Sequence, residues 1–231
     1  MLGFFLDFIF PKQCVHCGKI GQYLCKNCQA KFEPSKYPIC PMCERDAIDG
    51  ITHPACVTRY SLDGLVSFYR YDGPVKAGIK RLKYKPYLPE LAETVVHYSS
   101  NKVRSSRYAR TINFSDFVVV PVPLHPQRQR ERGFNQASLI GKAIAKQFGL
   151  PFADQVLKRT RNTKPQVALK GDDRRKNLAD AFALTPNIVI SQYPNILLVD
   201  DVWTTGSTLR NCGNVLKRAG AKKVWAMTIA R

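Results

Sequence analysis

Hydrophobic and polar positions follow two regular periods along most of this chain. Continuous or alternating apolar runs predict strands at residues 65–69, 117–122, 195–199 and 223–229, with shorter candidates at 155–158 and 180–184. Apolar residues at helical spacing predict helices after Pro74 and at 87–98, 137–148 and 206–219. Because strands and helices alternate, the pattern predicts an α/β fold, a parallel sheet flanked by helices.

The first 60 residues have a different texture, rich in cysteine and turn residues. We therefore predict a small module at 1–60 and one α/β domain at 61–231. Residues 1–10 are apolar but too few to span a membrane, and we expect a short helix that docks on the protein, with contact to a membrane surface as the alternative. They lack the features of a signal peptide, so a cytoplasmic location and no integral membrane segment are expected. Residues 99–113 are predicted to form a loop.

Seven of the eight cysteines precede residue 57, in closely spaced pairs. In a reducing compartment such pairs are metal ligands more often than disulfides. A Cys-x2-Cys knuckle places two thiolates on one side of a tetrahedral Zn²⁺, and a second knuckle completes the site. We expect the chain to hold one or two such ions. An interleaved pairing of the knuckles stays open, as does a surface position for His53 instead of metal binding. The simplest partition gives one ion Cys14, Cys17, Cys25 and Cys28, and the other Cys40, Cys43, His53 and Cys56.

The segment after the third long apolar run combines two kinds of ligand group. Asp200 and Asp201 follow the strand, and a turn then opens the last helix. A helix N-terminus presents free backbone N–H groups that suit a phosphate, while carboxylates accept hydrogen bonds from the hydroxyls of a cis-diol. Phosphate at one end and diol at the other outline a ribose 5-phosphate. The turn consists of Thr204, Thr205, Gly206, Ser207 and Thr208.

This segment resembles the signature of the type I phosphoribosyltransferases. The resemblance implies that kind of α/β fold and 5-phosphoribosyl 1-pyrophosphate as ligand, together with Mg²⁺. Asp200 and Asp201 would take the ribose hydroxyls, and residues 204–208 the 5-phosphate. Neither an acceptor nor a catalytic residue follows from the resemblance.

Two basic segments accompany the signature. The strand at 117–122 leads into a predicted loop with Arg128, Arg130 and Arg132, at the place where phosphoribosyltransferases contact pyrophosphate. A plain solvated loop is the alternative. Residues 158–178 are charged and aperiodic, and in that family a loop at this point closes over the substrate. A plain connecting loop is the alternative.

The net charge of +19 falls almost entirely on residues 61–231. Such a surplus favours polyanions such as nucleic acid. Lys76, Lys80 and Lys83 lie on one predicted helix face, followed by Tyr84 and Lys85. Lysines that track phosphates and rings that stack on bases suit single-stranded DNA. A solvated helix face is the alternative.

The motifs PVPLHP and RGFNQ, the Asp-Asp/Thr-Thr-Gly signature and the cysteine-rich start together resemble the ComF (ComFC) family of competence-related proteins. The resemblance covers essentially the whole chain and implies a zinc-binding N-terminal region, a phosphoribosyltransferase-like domain and a role in handling incoming single-stranded DNA. Three functions stay open. The chain is a DNA-uptake protein that binds phosphoribosyl pyrophosphate and single-stranded DNA, an active phosphoribosyltransferase that releases pyrophosphate, or a zinc-organised adaptor for a helicase or uptake partner.

Overall fold

A computed structural model describes residues 11–104, 114–161 and 181–231, with only the backbone for residues 99–104. The predicted helix at 1–10 lies outside the described residues. So do the last nine positions of the loop predicted at 99–113 and residues 162–178 of the predicted closing loop. No helix of the described part is long and apolar enough to cross a membrane.

Four strands form a parallel sheet in the order β1-β6-β5-β2. The two shorter strands, β3 and β4, form a separate antiparallel pair. Every strand predicted from the sequence is present, with boundaries that differ by a few residues. The strands are β1 (Gly64–Tyr69), β2 (Val118–Pro121), β3 (Leu157–Arg159), β4 (Phe182–Leu184), β5 (Asn195–Val202) and β6 (Lys223–Ala230).

Helices cover both faces of the sheet because its strands are apolar on both sides. Leu197 and Val199 of β5 pack on one face, whereas Ile196 and Leu198 pack on the other. This confirms the predicted parallel α/β fold with helices on its flanks. The helices are α1 (Lys26–Gln29), α2 (Gly73–Lys83), α3 (Leu91–Arg104), α4 (Pro126–Arg132), α5 (Gln136–Phe148) and α6 (Ser207–Arg218).

Two segments predicted as loops contain helix. Residues 126–132 form α4, because the His125 side chain caps it, Pro126 occupies its first turn and Gly133 ends it in a left-handed conformation. Helix α3 continues to Arg104, through the start of the loop predicted at 99–113. A helix already nucleated extends through residues of modest propensity, which a periodicity of apolar positions does not reveal.

The cysteine-rich segment packs against both faces of the sheet. Phe32 is buried against Tyr69 of β1, with ring centroids 4.9 Å apart, in the core that α2, α3 and α5 share. Ile39 and Met42 belong to the core on the opposite face, with α6. Single β-bridges also join Pro34 to Tyr69 and Ile51 to β1. The predicted boundary at residue 60 therefore crosses continuous packing.

Gly64 offers a test of this packing, because a Cβ at this position would overlap the buried indole ring of Trp225 on β6. Gly64→Ala is expected to lower the free energy of unfolding by about 1–3 kcal/mol. Gly78→Ala is the matched control, since its Cβ would meet Val95 at an ordinary 3.7 Å. In helix α2 that change is expected to be neutral or to stabilise by up to about 1 kcal/mol. Urea unfolding of both variants measures the contrast, and equal effects would contradict the described packing.

Candidate functional site

The two aspartates of the signature lie in a cleft at the carboxyl edge of the sheet. Strand β5 runs on to Val202, three residues beyond its predicted end, so Asp200 and Asp201 are strand residues. The cleft has a volume of about 500 Å³, in the usual range for small-molecule sites. Its walls come from β5, the loop after β2, α4, α5, β3, the end of α2 and the start of α6. They include Lys83, Tyr84, Tyr87, Arg128, Arg132, Asn135, Gln136, Arg159, Asp200, Asp201, Thr204 and Thr208.

Asp201 is almost completely buried and forms an ion pair with Lys83. The lysine Nζ lies 2.8 Å from Asp201 Oδ1, whereas Oδ2 is buried with no hydrogen-bond partner in the described part of the chain. A buried acceptor without a partner costs free energy, so a ligand hydroxyl that reached it would be strongly favoured. Asp200 Oδ1 accepts a hydrogen bond from the Asp201 backbone amide at 2.8 Å.

The two carboxylates, Asp200 and Asp201, differ in their electrostatic surroundings. Burial and then the neighbouring Asp201 carboxylate raise the pKa of Asp200 to about 7, although Lys83 opposes the rise. Burial alone would lower the pKa of Lys83, but the charges of Asp201 and Asp200 hold it above its usual value. Lys83 therefore stays charged and neutralises one of the two carboxylates.

The turn at 204–208 leads directly into α6. Gly206 has a φ of 65° and precedes the first helical residue, Ser207. A Cβ at Gly206 would overlap the buried ring of Trp203, so this position requires glycine for both space and backbone conformation. The hydroxyls of Thr205 and Ser207 lie 3.0 Å apart. The start of α6 thus gathers hydroxyls and the backbone amides that a helix N-terminus leaves unpaired. Of the five turn residues, Thr204 and Thr208 line the cleft.

The three arginines predicted to contact pyrophosphate are divided by the helix that carries them. Arg128 and Arg132 line the cleft, whereas Arg130 is exposed and lies outside its lining. Residues four apart share a face of a helix, while a residue between them points elsewhere. The prediction of a loop concealed this division. Arg132 also donates a hydrogen bond to Gln136 and lies 6.0 Å from the centre of the Tyr87 ring.

The basic residues predicted to bind nucleic acid are also divided. Lys76 and Lys80 are exposed on α2, and Tyr84 and Lys85 are exposed just beyond it. Lys83 instead turns into the cleft, as described above. The helical spacing placed Lys83 with Lys76 and Lys80, because periodicity along one helix does not show a carboxylate supplied by a distant strand.

Sequence reasoning missed several cleft residues, of which Arg159 is the most notable. It lies at the end of β3, and burial followed by the charge of Arg128 lowers its pKa below the usual value. The sequence placed this arginine in a charged closing loop and assigned it no role. Only the pairing of β3 with β4 brings it to the cleft.

The cysteines form two clusters that follow the sequential partition. In each cluster the four ligand atoms lie within 4.8 Å of one another, and the interleaved pairing does not occur. The first cluster is Cys14, Cys17, Cys25 and Cys28, and the second is Cys40, Cys43, His53 and Cys56.

The donor sets and distances fit Zn²⁺. A tetrahedral ion with Zn–S bonds of about 2.3 Å separates its ligand atoms by about 3.8 Å. Cys17 and Cys25 Sγ atoms are 3.6 Å apart, and Cys43 Sγ is 3.4 Å from His53 Nδ1. His53 Nε2 lies 2.9 Å from the Asp46 carbonyl, which leaves Nδ1 as the metal ligand. Burial would raise the pKa of Cys14, but backbone amides donate hydrogen bonds and hold it at about 6, whereas burial raises the pKa of Cys28 in the same cluster.

Comparison with known proteins supports the assignment of the two clusters as zinc sites. A family model described as "Double zinc ribbon domain" matches residues 5–57. Competence protein F of Haemophilus influenzae is 30% identical over 96% of this chain and 98% of its own length. Competence protein ComFC of Bacillus subtilis is 29% identical over 92% of this chain and 86% of its own. DNA utilization protein YhgH of Salmonella typhimurium is 29% identical over 90% of this chain and 96% of its own.

A solved structure described as the allosteric regulatory enzyme of purine biosynthesis is similar to part of the fold. The similarity has a TM-score of 0.39 and 17% identity, and it covers 65% of this chain and 30% of that one.

The fold and the two clusters define a parallel α/β protein with an N-terminal double zinc ribbon. The relatives then identify the family, since one of them matches nearly the whole chain at 30% identity. The chain belongs to the ComF family of competence proteins, as its motifs indicated.

The raised pKa of Asp200 predicts a dependence of stability on pH. Its folded-state pKa of about 7 exceeds the usual value of 3.8. Between those values the folded protein keeps the proton that the unfolded chain releases, so stability falls as pH rises and is lowest above pH 7. Asp200→Asn removes this loss. It is expected to raise the free energy of unfolding by about 2 kcal/mol more at pH 8.5 than at pH 5.5.

Urea unfolding of wild type and variant at the two pH values measures that difference. Asp116→Asn, which changes an exposed carboxylate, is the control and should show no such dependence. An Asp200→Asn effect that is the same at both pH values would contradict the assigned shift.

Proposed function

We propose that this protein binds 5-phosphoribosyl 1-pyrophosphate with Mg²⁺ in the cleft and single-stranded DNA on the adjoining basic surface, and that it acts in DNA uptake. The observation that carries the proposal is the shared cleft of the paired aspartates and the α6 N-terminus. One end offers acceptors for a diol and the other offers donors for a phosphate. A ribose 5-phosphate presents those two groups at its two ends.

Three arginines of the remaining walls suit the pyrophosphate, although the exposed carboxylate of Glu131 also lines the cleft. Arg128, Arg132 and Arg159 surround the space beside the aspartates, and permanently charged guanidinium groups bind paired anionic oxygens well. Asp200 and Asp201 are the nearby oxygen ligands that could also hold Mg²⁺, which would neutralise the pyrophosphate when bound. Lys83 already contacts Oδ1 of Asp201. Binding must therefore either displace this lysine or use the carboxylate oxygens that it does not contact.

The relatives and the charge distribution support the DNA part of the proposal. The relatives are named competence proteins and a DNA utilization protein. Exposed Lys76, Lys80 and Lys85 lie close in sequence to Tyr84, whose side chain is also exposed. An exposed ring among lysines suits a flexible strand, because stacking and phosphate attraction act together. The unpaired cysteines of both clusters fit a reducing cytoplasm.

Recognition of the diol by the aspartates predicts discrimination between two simple sugars. Wild type with Mg²⁺ is expected to bind phosphoribosyl pyrophosphate, and to bind ribose 5-phosphate about tenfold more tightly than 2-deoxyribose 5-phosphate, which lacks one hydroxyl. The double variant Asp200→Asn/Asp201→Asn should lose most of that preference. Titration calorimetry with Asp116→Asn as the control measures both effects.

Equal heats for wild type and the double variant would refute the assigned site. Release of pyrophosphate is measured in the samples that contain phosphoribosyl pyrophosphate and Mg²⁺, with nucleobases or single-stranded DNA added as acceptors. Release above background would show transfer of the phosphoribosyl group in addition to binding.

The DNA surface predicts a specific response to salt. Each phosphate contact with single-stranded DNA contributes roughly 0.7 to the slope of log affinity against log salt concentration. Lys76→Ala, Lys80→Ala and Lys85→Ala are each expected to reduce that slope by about this amount. Tyr84→Ala should weaken binding with the slope unchanged, because stacking releases no counterions.

Fluorescence anisotropy of a labelled oligonucleotide across a series of salt concentrations measures the slopes. Lys31→Ala, at an exposed lysine of the cysteine-rich segment, is the control and should behave as wild type. A wild-type affinity that does not respond to salt would exclude the DNA surface.

A further inference from the structure

Arg210 connects the second cysteine cluster to the phosphate turn. It lies in the first turn of α6, and its guanidinium reaches three oxygens. Nη2 is 2.7 Å from Glu44 Oε1, Nη1 donates to the Thr205 carbonyl at 2.9 Å, and Nε donates to the Pro41 carbonyl. The same group lies 5.3 Å from the ring of Trp203. The arginine therefore contacts the second ribbon and the turn at the same time.

Its two partners on the ribbon belong to the knuckle that holds metal ligands. Pro41 lies between Cys40 and Cys43, and Glu44 follows directly after Cys43. The Glu44 amide donates to the Cys40 carbonyl at 2.9 Å, and Glu44 has a φ of 63°. Both acceptors of Arg210 are thus set by the fold of this knuckle. A knuckle of this kind keeps its shape when a metal holds its two thiolates together.

Its contacts on the other side set the phosphate turn. The Thr205 carbonyl and the Gly206 N–H belong to one planar trans peptide and point in opposite directions. A guanidinium that holds the carbonyl therefore fixes the direction of the amide, which then points away from Arg210. The ring of Trp203 faces the same guanidinium and also packs closely against Gly206.

The position of Arg210 on its helix strengthens this interpretation. A cation in the first turn of a helix opposes the helix dipole, so its location costs free energy unless other contacts offset it. Here Glu44 and the two carbonyls provide that offset. Arginine contacts the three oxygens through three different nitrogens of its planar guanidinium. A lysine offers a single nitrogen and cannot replace these contacts.

We propose that Arg210 couples the second cysteine cluster to the phosphate turn, so that metal in this cluster raises the affinity of the cleft for a sugar phosphate. The inference rests on the proposed binding of ribose 5-phosphate. The coupling is reciprocal, because a ligand that favours metal-ordered protein must in turn favour retention of the metal.

The test uses the full-length zinc-loaded protein and ribose 5-phosphate. Arg210→Gln is expected to weaken binding about tenfold, and Arg210→Lys should restore only part of the loss. Glu44→Gln gives the sharper result, because it removes a negative charge near the phosphate. Electrostatics alone predicts equal or tighter binding, whereas coupling predicts binding a few-fold weaker.

The matched control is Glu33→Gln. Glu33 forms an ion pair with Arg70, another contact between the cysteine-rich segment and the α/β body, but away from the phosphate turn. Its affinity for ribose 5-phosphate should equal that of wild type. Metal analysis of every variant before titration checks that both clusters are filled. A change in affinity is then due to the loss of the Arg210 contacts and not to loss of metal.

A second readout follows metal release to a chromogenic chelator. Without ligand, Arg210→Gln should release the metal of one cluster faster than wild type, while release from the other is unchanged. Ribose 5-phosphate should slow release from that cluster in wild type and have no such effect in Arg210→Gln.

The outcomes separate this inference from the proposed function. If wild type does not bind ribose 5-phosphate, the proposed function fails, and with it the ligand half of the coupling. If wild type binds but Glu44→Gln binds as well or better, the coupling is wrong and the proposed function stands. Weaker binding of Glu44→Gln together with ligand-dependent metal retention establishes the coupling.

Discussion

The arrangement of the cleft depends on two carboxylates held side by side at the end of a buried strand. Asp200 and Asp201 continue β5, whose preceding residues are fully buried, so both begin in a position that disfavours charge. Lys83 neutralises Asp201. The raised pKa of Asp200 reflects the cost of a second negative charge at this buried position. A ligand that donates hydroxyl groups would stabilise this pair further. The cation from α2 and the donors at the start of α6 are therefore parts of one electrostatic arrangement.

The cysteine-rich segment belongs to the same arrangement. Its first half shares a core with β1, α2 and α3, and its second half packs against α6 on the other face of the sheet. Helix α6 begins at the phosphate turn, so the second ribbon supports the helix whose N-terminus faces the cleft. Under the proposed coupling, metal in the second cluster of this protein would therefore affect the shape of the cleft.

Much of this could be predicted from the sequence because the signals are local. Apolar runs located the strands, Cys-x2-Cys and His-x2-Cys spacing located the two clusters, and the Asp-Asp/Thr-Thr-Gly order located the cleft. Signals that depend on distant partners were missed. Helix α4 was hidden because its capping residues lie among charges, and Lys83 was assigned to a DNA surface because its partner, Asp201, lies 118 positions away. Arg159 and Arg210 reach their places only through strand pairing and helix packing, which no spacing along the chain reveals.

A crystal structure with phosphoribosyl pyrophosphate and Mg²⁺ would show directly where the sugar phosphate lies. We expect the 5-phosphate on the backbone amides of residues 204–208, and the ribose hydroxyls within hydrogen-bond distance of the Asp200 and Asp201 carboxylates. A ligand bound with its phosphate elsewhere, or with its ribose hydroxyls away from both aspartates, would contradict this expectation.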